Sequence, residues 1–160
     1  MLKWLIVFIF VFFVLLICVR LLWREHKKYV SLQKLYKRDA AVADTYEQWI
    51  YKLQQGCSIK SVFEENAIYS VAVYGLGRIG KNLIAELANQ NIRTLYCVDK
   101  NYGEDTYKEI PCYGIESMLP DADILIITVS GSVDEIKTEI APITANIKFV
   151  KSFQEVLYVL

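Results

Sequence analysis

The glycine run between residues 75 and 80 constrains the fold of this chain more than any other feature of its sequence. The run reads Gly75-Leu-Gly-Arg-Ile-Gly80; it directly follows the β-rich segment Tyr69–Tyr74 and precedes Lys81–Asn89, whose apolar residues fall on one helical face. Thr94–Val98 then reads as a second strand. The sequence therefore predicts a strand–helix–strand unit over residues 69–99.

Each glycine of the run has a distinct part in binding phosphate. Gly75 permits the tight turn out of the strand, Gly77 leaves room for a pyrophosphate against the backbone, and Gly80 lets the helix lie close to the sheet. The N-terminus of the helix adds N–H groups and a partial positive charge that attract phosphate. The sequence therefore predicts a dinucleotide-binding turn of the Rossmann type.

The acidic residue at the end of the second strand extends this prediction to the ribose. Asp99 lies nineteen residues after Gly80, where a carboxylate accepts hydrogen bonds from a ribose diol and repels a 2′-phosphate. NAD, or another nucleotide diphosphate such as a nucleotide sugar, is therefore the predicted ligand. The alternative is a domain that keeps its glycines for packing and binds nothing. The predicted cofactor-binding residues are Gly75, Leu76, Gly77, Arg78, Ile79, Gly80, Asp99 and Lys100.

The strand and helix patterns continue downstream of this unit. Ile124–Val129 is typical of a buried parallel strand, and the other predicted elements are short strands in Ile110–Gly114 and Asn146–Val150, a helix from the capping pair Ser132 and Glu135 to about Ala141, and a terminal helix Phe153–Leu160 opened by Ser152. The predicted fold over residues 67–160 is α/β, a compact doubly wound parallel sheet of four to five strands. This is about half of a full Rossmann fold.

The N-terminus has a different character. Residues 2–23 are almost entirely apolar, and 22 helical residues extend roughly 33 Å, enough for the ~30 Å hydrocarbon layer of a membrane. A cleaved signal peptide is disfavoured because residues 1–30 contain no Ala, Gly or Ser. A buried helix of a soluble fold is the alternative. The sequence therefore predicts a single transmembrane anchor over residues 1–23.

The charges around this segment predict its orientation. Seven Lys or Arg residues lie between Arg20 and Arg38, whereas only Lys3 and the amino terminus precede the segment. The positive-inside rule then places the N-terminus outside and the C-terminal domain in the cytoplasm. The predicted location is the inner or plasma membrane, with the membrane itself as one partner.

Residues 24–66 are predicted to form a helical linker. Apolar residues follow a heptad spacing from Leu32 to Leu53, interrupted by Asp39. A parallel coiled-coil homodimer is one interpretation; helices that pack on the domain are the other, and the interrupted seam favours packing.

Two capping patterns divide the linker. Asp44 and Glu47 have capping-box spacing, which predicts a new helix from Thr45, and Gly56 is typical of its end. Ser58 is predicted to cap a short helix that runs to about Asn66.

Composition excludes several function classes. Lysine plus arginine equal aspartate plus glutamate at 18 each, so no net field points to nucleic acid. The four cysteines form no CxxC pair and the only histidine is His26, so no metal site is predicted and reduced thiols are expected. Residues 67–160 contain no histidine, and therefore no Ser/His/Asp set and no Cys/His pair. Catalysis by this chain alone is therefore not expected.

The glycine run followed by Asp99 resembles NAD-binding families that include hydroxyacid dehydrogenases and potassium-channel regulatory domains. Residues 46–160 more closely resemble the small Rossmann proteins and modules encoded in bacterial capsule and cell-surface polysaccharide clusters. That resemblance is carried by Trp49–Leu53, Ser58–Asn66, Ile68–Gly80 and Ser152–Tyr158.

The resemblance implies a nucleotide-binding module that is accessory to surface-polysaccharide biosynthesis, with enzymes of that process as partners. The predicted transmembrane helix departs from the commoner soluble form of these modules, so the chain is predicted to be a membrane-anchored version that is not catalytic alone. Two alternatives stay open beside it. One is an NAD-dependent oxidoreductase or sugar-modifying half-site completed by a partner, and the other is an NAD or redox sensor of a transporter. An interaction scaffold with an inactive pocket is a further possibility.

Overall fold

The computed structural model describes residues 2–101, 103, 105–115, 117–129 and 133–159, without the side chains at positions 2 and 5–11. The chain divides into two compact units, Met1–Ala40 and Ala41–Leu160. The elements in chain order are α1 (Leu2–Gln54), α2 (Ile59–Glu65), β1 (Val71–Tyr74), α3 (Arg78–Asn89), β2 (Thr94–Val98), β3 (Thr106–Tyr107), β4 (Ile110–Tyr113), β5 (Ala122–Ile127), α4 (Val133–Ile140), a 3₁₀ turn (Ala141–Ile143), β6 (Ile147–Ser152) and α5 (Phe153–Val159).

The first unit consists of helix, and its apolar side chains between Phe12 and Trp23 are exposed. Within the described residues, no helix has the length and apolarity to span a membrane. The predicted transmembrane helix is corrected on this finding; its part at side chains 2 and 5–11 lies outside the described residues.

The second unit is built on a six-stranded sheet in the order β3-β4-β2-β1-β5-β6. The five strands from β4 to β6 are parallel, whereas β3 pairs antiparallel with β4. The prediction of an α/β class is confirmed, but that of a purely parallel sheet of four to five strands is wrong. Strands β3 and β4 are joined by Lys108 and Glu109, both at positive φ (49° and 66°). Asn-Gly is the usual signal for such a turn, so Lys-Glu gave no warning of this hairpin.

Helices cover both faces of the sheet. Successive side chains of a strand point to opposite faces, so each face contributes apolar side chains to a core of its own. Val71 and Val73 of β1 pack in a core with α2, α3, α5 and the end of α1. Ala72 and Tyr74 pack in a second core with Ile140 of α4. The central strand β1 is therefore buried along its whole length, as its burial pattern shows.

Residues 41–54 of α1 belong to the domain core. Trp49 is 6% exposed and meets Phe153 edge to face, with ring centroids 4.8 Å apart, and Val42 and Tyr46 pack against the same core. Packing is thus the interpretation of the heptad seam that the structure supports at these positions. A homodimer stays a prediction.

The predicted helix start at Thr45 is wrong, because its hydroxyl donates to Ala41 O at 2.8 Å and the helix continues through it. The predicted stop is confirmed: Gly56 has φ +75°, and the N–H groups of Gly56 and Cys57 bond back to Leu53 and Lys52 in a Schellman motif. Ser58 caps α2 through Lys60 N, as predicted.

The boundaries of β1, β5 and β6 differ from the predictions by one or two residues. β1 begins at Val71 rather than Tyr69, because the Asp123 carboxylate accepts the N–H groups of Tyr69 and Ser70 at 2.9 and 2.8 Å. Asp123 thereby joins the start of β1 to the start of β5. The proposed cap Ser132 lies outside the described residues; Val133–Ile140 is helical as predicted.

Candidate functional site

The order of the five parallel strands creates a crevice beside the glycine run. From β1 the chain crosses to β2 on one side, and from β5 it crosses to β6 on the other. Doubly wound dinucleotide-binding sheets have this order for their first five strands, and they bind ligands where it reverses, at the carboxyl ends of the strands. The crevice here therefore lies between the ends of β1 and β5.

Two glycines of the turn are required by the protein itself. Gly75 has φ +97°, and a Cβ there would lie 2.7 Å from Val129 Cγ2. A Cβ on Gly80 would lie 1.9 Å from Gly75 O, a clash with backbone that cannot move aside. Gly75 therefore makes the turn, and Gly80 lets α3 approach it, as predicted for these two positions.

Gly77 is different, because nothing in the described chain requires a glycine there. Its φ of −73° and ψ of −168° suit any residue, and a Cβ would meet no heavy atom of the described residues within 4 Å. Gly77 is exposed and stands as N-cap of α3, to which it offers no side-chain hydrogen bond. The space beside the helix N-terminus is thus open, as a phosphate ligand needs.

Asp99 lies next to this turn and is tied to it. Its Oδ2 accepts the N–H of Leu76 at 2.6 Å, and its Oδ1 accepts the N–H of Asn101 at 2.8 Å. A carboxylate offers about four acceptor positions, so these bonds leave capacity for a ribose hydroxyl. The sequence predicted Asp99 at the site, but it did not predict the hydrogen bond that Asp99 accepts from the backbone of the turn.

Lys100, which was predicted to bind the ligand, is paired with an acidic side chain of the protein itself. Its ammonium bonds both carboxylate oxygens of Glu139 in α4, and this hydrogen bonding raises the Lys100 pKa above its ordinary value. Tyr74 at the end of β1 is close to the pair, and burial is the main cause of its raised pKa. Since both charged side chains are about two-fifths exposed (41% and 42%), the pair contributes little to stability. Glu139 was not among the predicted residues.

Thr128, directly after β5, fixes the turn from the other side. Its buried hydroxyl lies 3.0 Å from Tyr74 O and 2.7 Å from Gly75 O, and these two carbonyls share its one proton. Sequence reasoning missed this residue; the available signal was a hydroxyl at the end of a buried apolar strand.

The remaining predicted residues, Leu76, Arg78 and Ile79, differ in their exposure. The side chains of Leu76 and Ile79 are buried, 6% and 4% exposed, whereas Arg78 is exposed in the first turn of α3. The structure thus brings Gly75–Gly80 and Asp99 together, with Lys100 at the edge.

A cavity of about 120 Å³ lies at the β5 side of the crevice. Among the described residues that line it, four have neutral polar side chains, and one of them, Gln154, donates from Nε2 to Thr45 Oγ1 at 3.1 Å. The lining residues are Ala41, Thr45, Ile79, Ile127, Thr128, Val129, Val133, Ser152, Phe153 and Gln154.

Groups suited to metal or thiol chemistry are poorly placed. Among the described residues, no three His, Cys, Asp or Glu side chains are close enough to hold a metal ion. Cys97 lies on β2, two residues before Asp99, but burial raises its pKa to about 12, so it is a protonated thiol at neutral pH.

Comparison with known proteins gives no relative. No protein-family model matches the chain, and no curated protein and no solved structure is significantly similar to it.

Proposed function

We propose that the domain formed by residues 41–160 binds the nucleoside diphosphate part of an NAD-type ligand or nucleotide sugar. The observation that carries this proposal is Gly77. Its neighbours Gly75 and Gly80 are explained by packing within the protein, whereas Gly77 faces open space at the N-terminus of α3. A glycine there lets a ligand approach the backbone closely, which is the role of the second glycine in dinucleotide-binding turns.

The surrounding groups support the same ligand. The phosphates lie against the N-terminus of α3, whose helix dipole favours negative charge. The ribose lies beside Asp99, whose carboxylate has acceptor positions beyond those used by Leu76 and Asn101. A carboxylate at this place disfavours a 2′-phosphate, so NAD-like ligands are preferred to NADP-like ones.

The site holds a ligand rather than transforming it. Among the described residues, the polar side chains of the adjoining cavity are neutral hydroxyls and an amide, in Thr45, Thr128, Ser152 and Gln154. Neutral groups of this kind orient a ligand by hydrogen bonding but supply no general base near neutral pH. The resemblance to modules of polysaccharide clusters supports an accessory role beside the enzymes of that process.

Isothermal titration calorimetry of the full chain with ADP, NAD, UDP and UDP-glucose tests the proposal. The key variant is Gly77→Val, because a Cβ at this position meets no heavy atom of the described residues within 4 Å. We expect it to weaken binding at least tenfold while lowering the free energy of unfolding by only about 1 kcal/mol, because valine is a poorer N-cap than glycine. The control Ala88→Val also introduces a valine, by adding two methyl groups at an exposed position of α3, and should bind normally. No heat with any of the four ligands would overturn the proposal.

A further inference from the structure

We infer that the site accepts a nucleoside diphosphate that ends at its second phosphate and excludes the second nucleoside or sugar of a larger ligand. The inference rests on the proposed function and narrows its ligand class. It comes from the cavity at the β5 side of the crevice and from the helix segment that walls it.

The position of Asp99 determines which half of a ligand lies where. A dinucleotide spans the crevice, with its first ribose beside the carboxylate at the end of β2 and its pyrophosphate at the glycine turn. In the order β4-β2-β1-β5-β6, the group beyond the pyrophosphate then lies at the ends of β5 and β6. The cavity lined by Thr128, Val129 and Ser152 is at this place.

The far wall of this cavity comes from α1, through Ala41 and Thr45. Three contacts fasten that part of α1 to both neighbouring helices. Asn82 of α3 donates to Tyr46 Oη at 2.8 Å, Gln154 of α5 donates to Thr45 Oγ1 at 3.1 Å, and Trp49 packs on Phe153. Since Trp49 and Phe153 belong to the core of the domain, the wall cannot withdraw without disrupting that core.

The size of the cavity decides what it admits. It measures about 120 Å³, whereas an engineered cavity that binds benzene measures about 150 Å³ and ligand-binding pockets commonly measure about 300–1,000 Å³. A nicotinamide is larger than benzene, and its ribose or a hexose adds further volume. The space is sufficient for a few water molecules or the oxygens of a terminal phosphate. Its hydroxyl and amide groups are suitable hydrogen-bonding partners for either.

Two matched ligand pairs test the inference by calorimetry on the full chain. ADP should bind at least tenfold more tightly than NAD, and UDP at least tenfold more tightly than UDP-glucose. Equal or tighter binding of NAD and UDP-glucose overturns the inference but leaves the proposed function standing. If none of the four ligands binds, the proposed function itself has failed.

A variant tests whether this wall causes the preference for ADP over NAD. Gln154→Ala removes an exposed side chain that lines the cavity and spares the apolar core. We expect it to reduce the ADP-to-NAD preference at least threefold, chiefly by tightening NAD binding. Gln48→Ala is the matched control, since Gln48 is exposed on α1 and does not line the cavity. An unchanged preference in Gln154→Ala would overturn the assignment of selectivity to this wall.

Discussion

The Oδ2 atom of Asp99 accepts a hydrogen bond from the backbone N–H of Leu76, at a distance of 2.6 Å. One carboxylate thus holds the glycine turn and also lies where a ribose is expected. A residue at the end of β2 thereby determines the shape of the loop after β1. Removing its charge should affect both stability and binding.

For Asp99→Asn we expect a loss of about 1–2 kcal/mol in the free energy of unfolding, because a hydrogen bond to a charged acceptor becomes a neutral one. Urea denaturation followed by circular dichroism measures this change. Asp121→Asn is the control, since Asp121 is exposed. Equal stability of the two variants would show that the bond to Leu76 does not hold the turn.

The two glycines at the start of α3 should respond differently to alanine. Gly80→Ala places a Cβ 1.9 Å from Gly75 O, and overpacking of this kind costs about 3 kcal/mol. Gly77→Ala meets open space at an ordinary φ; the gain from a stiffer unfolded chain and the loss of a glycine N-cap oppose each other, so stability should change by about 1 kcal/mol or less. Thermal denaturation compares the two. A large loss in Gly77→Ala would contradict the description of this position.

Trp49 tests whether the end of α1 is part of the domain core. Trp49→Ala should cost about 3–5 kcal/mol, since the side chain is 6% exposed against Phe153. Tyr51→Ala, two residues along the same helix and 59% exposed, should change stability by about 0.5 kcal/mol or less. Chemical denaturation of both variants provides the measurement. Similar losses would place Trp49 outside the core.

Because of Glu155, the free energy of unfolding should decrease as the pH becomes acidic. Burial raises its pKa, but hydrogen bonds from Lys137 and Ser152 lower the pKa by more than burial raises it, to about 2. A carboxyl whose pKa is depressed on folding stabilises the protein above its unfolded pKa of about 4.5, and this stabilisation is lost as the pH falls towards 2.

Unfolding midpoints measured between pH 6 and 2 should therefore fall less steeply in Glu155→Gln than in the natural chain. Glu135→Gln, at an exposed position of α4, should retain the natural slope. Identical slopes in Glu155→Gln and the natural chain would argue against these bonds.

The cysteines should differ in reactivity towards a thiol reagent. Cys97 is fully buried, and burial raises its pKa to about 12, so it should react only on unfolding. Cys18 is exposed and should be labelled in the folded chain. Mass spectrometry after iodoacetamide treatment, with and without urea, locates the label. Rapid labelling of Cys97 in the folded chain would contradict its burial.

Local patterns predicted the central unit of the fold well. The strand Thr94–Val98 has the predicted bounds, and Gly75 and Gly80 take their predicted structural roles. These features depend on backbone conformation and periodicity, which neighbouring residues determine. The predicted helix start at Thr45 failed because the capping-box spacing of Asp44 and Glu47 lies within a continuous helix, where packing of Trp49 overrides a weak local signal.

Contacts between distant residues could not be read from the sequence. The Glu139 partner of Lys100 and the Thr128 bonds to the turn each join residues about 40 to 50 positions apart. The wall formed by Thr45 and Gln154 joins residues 109 positions apart. Such contacts follow from the tertiary arrangement of helices, and they determine the size of the cavity that the glycine motif alone leaves open.

The double attachment of the glycine turn has a consequence for the entropy and rate of binding. Asp99 and Thr128 order the turn before any ligand arrives, so association loses little conformational entropy in this loop. Binding should follow a single exponential phase whose rate rises linearly with ligand concentration, without a slow rearrangement of the loop. The affinity of this preorganised site would then be set mainly by how slowly the ligand leaves.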